Sequence, residues 1–388
     1  MKKASSVIAA AIFLTIALAL PFIADLLPDH TRTLATAPEI VSRAYIDRVV
    51  NFVVSGKRAD MVFAGSSLVI FPHVLTDGYY ENVPVPVPDP IEYADFLARY
   101  VDMAHFKKLY ASFNPGNSLA NRASIVDLGV PSLMLSDCVL LFDKLEKNGA
   151  LPGEVVLLLA PRDFMDNTVA QERNLLAHEL NGRITFREIS TASDAGSFVS
   201  RVGSAINYGA NKWARQFRNC GQRVVLALKK MGKSPRQQVM PAGRTQQEAL
   251  NHFYFGDGKL ADLGVYKKRY NPADHVRIKR ELSALAGLID RLKARRVRIT
   301  VVSMPLTGEN IALIEEDAHK EILAGMQKIC ASRDVSFVAD QQLGAYTRSD
   351  FVDSVHLNAS GGDKFFKALT RLLSAPENYS KTASQISK

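Results

Sequence analysis

A three-layer α/β/α sandwich built on a parallel sheet is the architecture this sequence predicts, from three features. Short continuous runs of Val, Ile and Leu alternate with stretches of helical periodicity, as strands buried on both faces alternate with their crossover helices. Each run ends in a loop of small or polar residues, at the sheet edge where such folds bind ligands. The chain has 388 residues, 47% of them hydrophobic, enough to bury a large core.

The first element is "MKKASSVIAAAIFLTIALALPFIAD", uncharged from Ala4 to Ala24. As a helix, about 21 residues at ~1.5 Å each span the ~30 Å hydrocarbon core. Residues 1–24 therefore read as a transmembrane helix that anchors the protein. The competing reading is a cleaved signal peptide, with small residues at Ala17 and Ala19. Lys2 and Lys3 keep the N-terminus in the cytoplasm on either reading, which makes the domain extracytoplasmic. Residues 25–58 read as a juxtamembrane linker followed by a helix, "APEIVSRAYIDRVVNFVV".

The domain proper is expected over 59–375. Strands are expected at "DMVFAGSS" (60–67), "SIVDLGVPS" (124–132), "EVVLLLAPRD" (154–163), "VRITVVSMP" (297–305) and, more weakly, "VSFVAD" (335–340). "MLSDCVLLFDKLEKNG" and "ELSALAGLIDRLKARR" carry helical periodicity. About 130 residues separate the third run from the fourth, far more than a crossover needs, so 165–285 is an insertion. Within it Phe198, Val202, Ile206, Ala210, Trp213 and Phe217 recur at helical spacing beside Lys212, Arg215 and Arg218. That pattern fits a helix packed on the domain, or one lying on a membrane surface. The tail 376–388 is expected to be disordered.

Charge is concentrated. The net charge is +9, yet residues 211–300 hold 21 Lys/Arg against 6 Asp/Glu, leaving the remainder at −6. Such a patch suits an anionic surface such as lipid headgroups or an acidic glycan. No nucleic-acid reader motif is present, so nucleic acid is not an expected partner. Cys138, Cys220 and Cys330 are too widely spaced for a zinc knuckle or a CxxC redox site. Neither a metal nor a cofactor is expected.

The chemistry-bearing stretches lie at opposite ends of the domain. In "VFAGSSLV" a buried run meets Gly65, which permits a tight turn that lifts Ser66 and Ser67 above the sheet edge. In "DSVHLN", Asp353 and His356 lie three residues apart. A carboxylate so placed accepts the Nδ1 proton and leaves Nε2 free as a base. The serine follows the first strand and the Asp/His pair follows the last, both at one end of the sheet. His73 is a rival base, although loop histidines are usually structural or solvated. Asp163 and Asp166 in "PRDFMDN" suit helix capping or substrate binding. "YKKRY" (266–270) reads as a solvated basic loop, or as a contact for an anionic polymer or lipid.

These blocks resemble the SGNH/GDSL hydrolase-like superfamily, whose flavodoxin-like fold carries a Gly-Asp-Ser block after strand one and a C-terminal Asp-x-x-His block. "GSSL" is similar to the first, with Ser66 in place of Asp and Ser67 as nucleophile; "DSVHLN" is similar to the last, as Asp353 and His356. "VDLGVPS" resembles the second block, with Ser132 where the family has Gly. "LLLAPRD" resembles the third, with Arg162 where it has Asn. The resemblance implies a Ser67–His356–Asp353 triad. Gly65, Ser132, Arg162, Asp163 and Asn358 are then candidates around the oxyanion and the substrate. A Gly-Ser-Ser block behind an N-terminal anchor is similar to the membrane-anchored acyl-transfer branch, which includes the D-alanyl transfer protein and alginate acetylation proteins. That likeness implies transfer of an acyl group onto a cell-surface polysaccharide or glycolipid, beside a membrane-bound O-acyltransferase. An esterase using water, and a non-catalytic scaffold, are the alternatives.

Overall fold

The computed structural model describes residues 37–86, 90–115, 123–169, 246–256 and 262–374, with a few isolated positions between them. Five strands form one sheet: β1 (Met61–Gly65), β2 (Ile125–Asp127), β3 (Glu154–Leu159), β4 (Arg298–Ser303) and β5 (Ser336–Val338). Every pairing is parallel, in the order β2-β1-β3-β4-β5. All five expected runs are therefore strands. β1 and β3 are buried at every position, which is why their sequences are continuously apolar instead of alternating.

Helices α1 (Ala37–Val54), α2 (Ser67–Tyr80), α3 (Pro90–Leu97), α4 (Ala104–Phe113) and α5 (Leu135–Lys147) precede β3. A short helix, α6 (Arg162–Met165), follows it, then α7 (Gln246–Phe255), α8 (Leu263–Tyr270) and α9 (His275–Ala294). The remaining helices are α10 (Gly308–Ile311), α11 (Glu316–Ser332) and α12 (Ala359–Ser374). Two packing groups flank the sheet, α2, α4 and α12 together and α5, α9 and α11 linked through α9, while α1 also packs on α3. The chain runs from β1 outward to β2, then back across β3, β4 and β5. Right-handed crossovers in opposite directions place the two groups on opposite faces. On one face Phe63 of β1 meets Phe106 of α4 and Phe366 of α12 edge-on, with ring centroids 4.7 and 6.3 Å away.

Helix α1 covers the residues expected to be helical before the domain, but it packs into the domain, which therefore begins before residue 59. Val49, Val50 and Val53 lie in the main core. Asn148, just past α5, donates to the Val53 carbonyl (2.9 Å), and Arg48 donates to the Gly129 carbonyl (2.8 Å). No described helix is long and apolar enough to cross a membrane, and the expected anchor (4–24) lies outside the described residues. So do Cys220, the tail, and the aromatic stretch 198–217 apart from Gly203. The "YKKRY" stretch is not a loop: it ends helix α8, with Tyr266 and Tyr270 buried.

Candidate active site

The turn that carries Ser66 and Ser67 depends on Gly65. Its φ is +153°, and a Cβ there would stand 2.3 Å from the Leu158 carbonyl oxygen of the paired strand β3. No side chain fits so close to backbone, so β1 ends in a sharp turn that only glycine allows. Ser66 is extended and Ser67 opens α2. The two serines then part company. Ser66 is fully buried and its Oγ makes no hydrogen bond of normal geometry. Ser67, 6% exposed, has its Oγ 2.7 Å from Nε2 of His356.

His356 sits in a loop closed by an antiparallel bridge between Phe351 and Leu357 and by the Val352 N–H donating to the His356 carbonyl (2.8 Å). Asp353 uses both oxygens. Oδ1 accepts the backbone N–H groups of Val355 (2.9 Å) and His356 (2.8 Å), which folds the turn. Oδ2 lies 2.6 Å from Nδ1 of His356. A carboxylate can only accept there, so Nδ1 carries the proton and Nε2 accepts the Ser67 hydroxyl. Burial alone would raise the Asp353 pKa, but the imidazole and the two backbone donors outweigh it and hold it at about 2. Asp353 is therefore ionised throughout the physiological range.

The imidazole is braced from the side. Phe71 stacks on it, ring centroids 4.1 Å apart and planes 21° apart. Phe71 lies four residues after Ser67 on α2, so the helix that presents Ser67 also presents the support for the histidine it meets. The four-residue spacing is visible in the sequence, whereas the ring that Phe71 stacks on lies far away in the chain. A second brace comes from the end of the 165–285 insertion. Asp262, just before α8, accepts the Ser354 N–H (3.1 Å) and hydroxyl (2.5 Å). Asn310 of α10 donates to the Ser354 Oγ (3.0 Å) and accepts from the Tyr270 hydroxyl (2.9 Å). The residue beside Asp353 is thus tied to two helices. At the neighbouring turn, Gly256, just past α7, approaches so closely that a Cβ would stand 2.6 Å from the Val352 carbonyl oxygen.

The other candidates divide. Ser132 follows β2 and adopts φ +62°, the left-handed region that glycine occupies without strain. Of the backbone N–H groups in 129–132, that of Gly129 goes to Asp127 Oδ1 (2.6 Å) and that of Val130 to the Gly65 carbonyl (3.0 Å). Pro131 has none, which leaves Ser132 as the loop's available donor. Arg162 follows β3, is 5% exposed, and has a guanidinium nitrogen 3.4 Å from Asp163 Oδ1. Burial would lower its pKa, but Asp163 and the nearby Tyr266, Asp166 and Tyr270 more than offset this, so it stays charged.

Asp163 and Asp166 are committed to local structure. Asp163 accepts the Ala160 N–H (2.9 Å), and burial raises its pKa. Asp166 accepts from the Thr168 N–H (2.9 Å) and hydroxyl (2.6 Å) and pairs with Arg269 (2.6 Å). Asn358 caps α12: its Oδ1 accepts from Gly361 N–H (3.0 Å) and the Ser360 hydroxyl (2.8 Å), while its Nδ2 donates to the Ser349 carbonyl (2.7 Å). His73 is no loop residue; it lies within α2, wholly buried. Cys138 and Cys330 are buried free thiols, and burial pushes the Cys330 pKa up to about 12. Among the described residues no group of three or more His, Cys, Asp or Glu is placed to hold a metal ion. No protein-family model matches this chain and no curated protein matches it, so the chemistry of the site rests on these distances.

Proposed function

We propose that this chain is a membrane-anchored, extracytoplasmic serine acyltransferase of the SGNH/GDSL type. It moves an acyl group through a Ser67 ester onto a hydroxyl of a cell-envelope or exopolysaccharide. The observation that carries this reading is the continuous line from Asp353 through His356 to Ser67, with contacts of 2.6 and 2.7 Å. The strand order, the serine after β1 and the Asp-x-x-His turn after β5 support the superfamily assignment.

In the first half-reaction the Ser67 Oγ attacks the acyl carbonyl as its proton passes to His356 Nε2. Asp353 stabilises the imidazolium without taking a proton itself. The resulting oxyanion is met by the Ser67 N–H at the start of α2 and by the Ser132 N–H, with Arg162 adding fixed positive charge. Collapse expels the donor's alcohol or thiol, which takes the proton from His356. A sugar hydroxyl then repeats the sequence in reverse: it gives its proton to His356, attacks the ester carbonyl and releases Ser67. Transfer instead of hydrolysis is favoured by the Gly-Ser-Ser block behind an apolar N-terminal segment, the arrangement of the acyl-transfer branch. In that setting a membrane-bound O-acyltransferase is the partner that supplies the acyl group, and membrane lipid is the surface on which both work.

Trapping with a serine-reactive phosphonate, read by peptide mass, tests the nucleophile: label on Ser67 is expected. Acyl release that depends on added oligosaccharide identifies a transferase. Equal release into water alone makes the protein an esterase, and no label at all makes it a scaffold. Retention in membranes after a carbonate wash tests the anchor; a soluble protein beginning near Leu20 would show a cleaved signal instead.

A further inference from the structure

Beneath the nucleophile turn lies a second cluster of charge that acyl transfer does not use. Arg48 of α1, His73 and Asp77 of α2, and Asp127 at the end of β2 are each at most 1% exposed. His73 Nδ1 is 2.7 Å from Asp127 Oδ2, and its Nε2 is 2.6 Å from the Asp102 carbonyl oxygen. Asp77 Oδ2 stands 3.3 Å from the same Nε2. All of these partners are acceptors, so both ring nitrogens must donate and the ring must be an imidazolium. Burial alone would lower the His73 pKa, but Asp77 and Asp127 raise it to about 9. Tyr100 completes the enclosure: its ring stacks on His73 at 5.3 Å and its hydroxyl donates to Asp77 (2.6 Å). The Arg48 guanidinium lies 3.3 Å from Asp127 Oδ2. Two cations thus face two carboxylates.

The cluster grips one residue of the loop after β2 by both of its backbone groups. Asp127 Oδ1 accepts the Gly129 N–H (2.6 Å), and Arg48 donates to the Gly129 carbonyl (2.8 Å). Gly129 itself lies against the nucleophile turn: a Cβ there would stand 3.0 Å from the Ser66 carbonyl oxygen. The adjoining Val130 N–H is bonded to Gly65. We propose that Arg48 and Asp127, braced by the His73 cation, are positioning residues for the 129–132 loop, setting where the Ser132 N–H meets the developing oxyanion. A purely structural role explains less. Apolar residues of similar volume stabilise a core as well as a buried ion cluster does, and Arg48 leaves both Nε and Nη1 without a hydrogen-bond partner, Nη1 meeting Asp127 only as an ion pair. What apolar residues cannot supply is a directed hold on both the N–H and the C=O of Gly129, that is, on the two peptide units that flank it. This inference rests on the serine acyl-transfer reading of the site.

The test uses the full-length chain and a fluorophosphonate probe, whose reaction develops negative charge in the same oxyanion site. Arg48→Lys keeps the buried charge but lacks the planar fork needed to hold Gly129 and Asp127 together. It should label Ser67 about 10–100-fold more slowly at saturation, with the half-saturating probe concentration little changed, as when an oxyanion donor is misplaced. Asp127→Asn, which keeps an acceptor for Gly129, should lose less rate than Asp127→Ala. A folded Arg48→Lys protein that labels at the wild-type rate would overturn the inference. Should Arg48→Lys fail to fold, ¹⁵N spectra of the wild type decide: both His73 ring nitrogens should be protonated at pH 7.5, and a neutral ring there overturns it. Wild-type protein left unlabelled would sink the acyl-transfer reading and this inference with it. Equal labelling of wild type and variant sinks only the latter.

Discussion

Two aspartate–histidine pairs lie close together, and the partner of the second ring nitrogen sets them apart. Asp353–His356 and Asp127–His73 have similar contact distances, 2.6 and 2.7 Å. In the first pair the far nitrogen meets the Ser67 hydroxyl, which can give up a proton. In the second it meets the Asp102 carbonyl, which can only accept. The first imidazole, 8% exposed, thus faces a group able to hand it a proton. The second is already charged, sealed from solvent, and has no capacity left. A carboxylate beside an imidazole does not make a catalytic base; the group on the other side decides.

The sharpest break between the pairs is at the nucleophile. Ser67→Ala should abolish covalent labelling and turnover, whereas Ser66→Ala, which removes a buried hydroxyl that makes no hydrogen bond to His356, should keep most of both; intact-protein mass after phosphonate treatment reads this directly. Next comes the orienting carboxylate. Asp353→Asn should keep the fold, with a modest fall in melting temperature, yet cost up to about 10⁴ in turnover, as loss of the correct tautomer does in the serine-protease template. Asp127→Asn should show the opposite balance, with a larger fall in melting temperature and a smaller fall in rate. Near-normal turnover in the Asp353 variant would move the orienting role to another group.

A smaller effect is expected from Arg162→Ala: kcat down by about 10²–10³ with KM nearly unchanged, the pattern of a lost oxyanion stabiliser. If KM rises instead, and only for charged esters, the guanidinium grips substrate. The subtlest contrast is in the pH dependence of stability. His73 has its pKa raised to about 9, above the ordinary 6.5. Its contribution is fully present below about pH 6.5 and disappears as pH rises through 9. Asp353, lowered to about 2, contributes above about pH 4 and loses that contribution as pH falls toward 2. Melting curves across pH should therefore flatten on the alkaline side in His73→Gln and on the acid side in Asp353→Asn.

Much of this molecule is written in local pattern. The five strands announce themselves because burial on both faces demands continuous apolar runs. Helix α1 follows from its own periodicity. Gly65–Ser66–Ser67 and Asp353–His356 are each a single turn of chain, so their internal geometry is decided within six residues. Local pattern fails where charge disguises structure: "YKKRY" looks solvated, yet Tyr266 and Tyr270, four apart, form the buried face of α8. It fails again wherever partners are distant in the chain. Ser67 and His356 meet across 289 positions, Arg48 and Gly129 across 81. For the first pair the sequence supplied both ends, because each sits in a recognisable turn after a strand. For the second it supplied neither, because an arginine in an amphipathic helix and a glycine after a short strand carry no mark of each other. Only closing the sheet in the order β2-β1-β3-β4-β5 brings α1 against the loop after β2. Side-chain chemistry could be read from the chain, but which groups share a low-dielectric space was decided by packing.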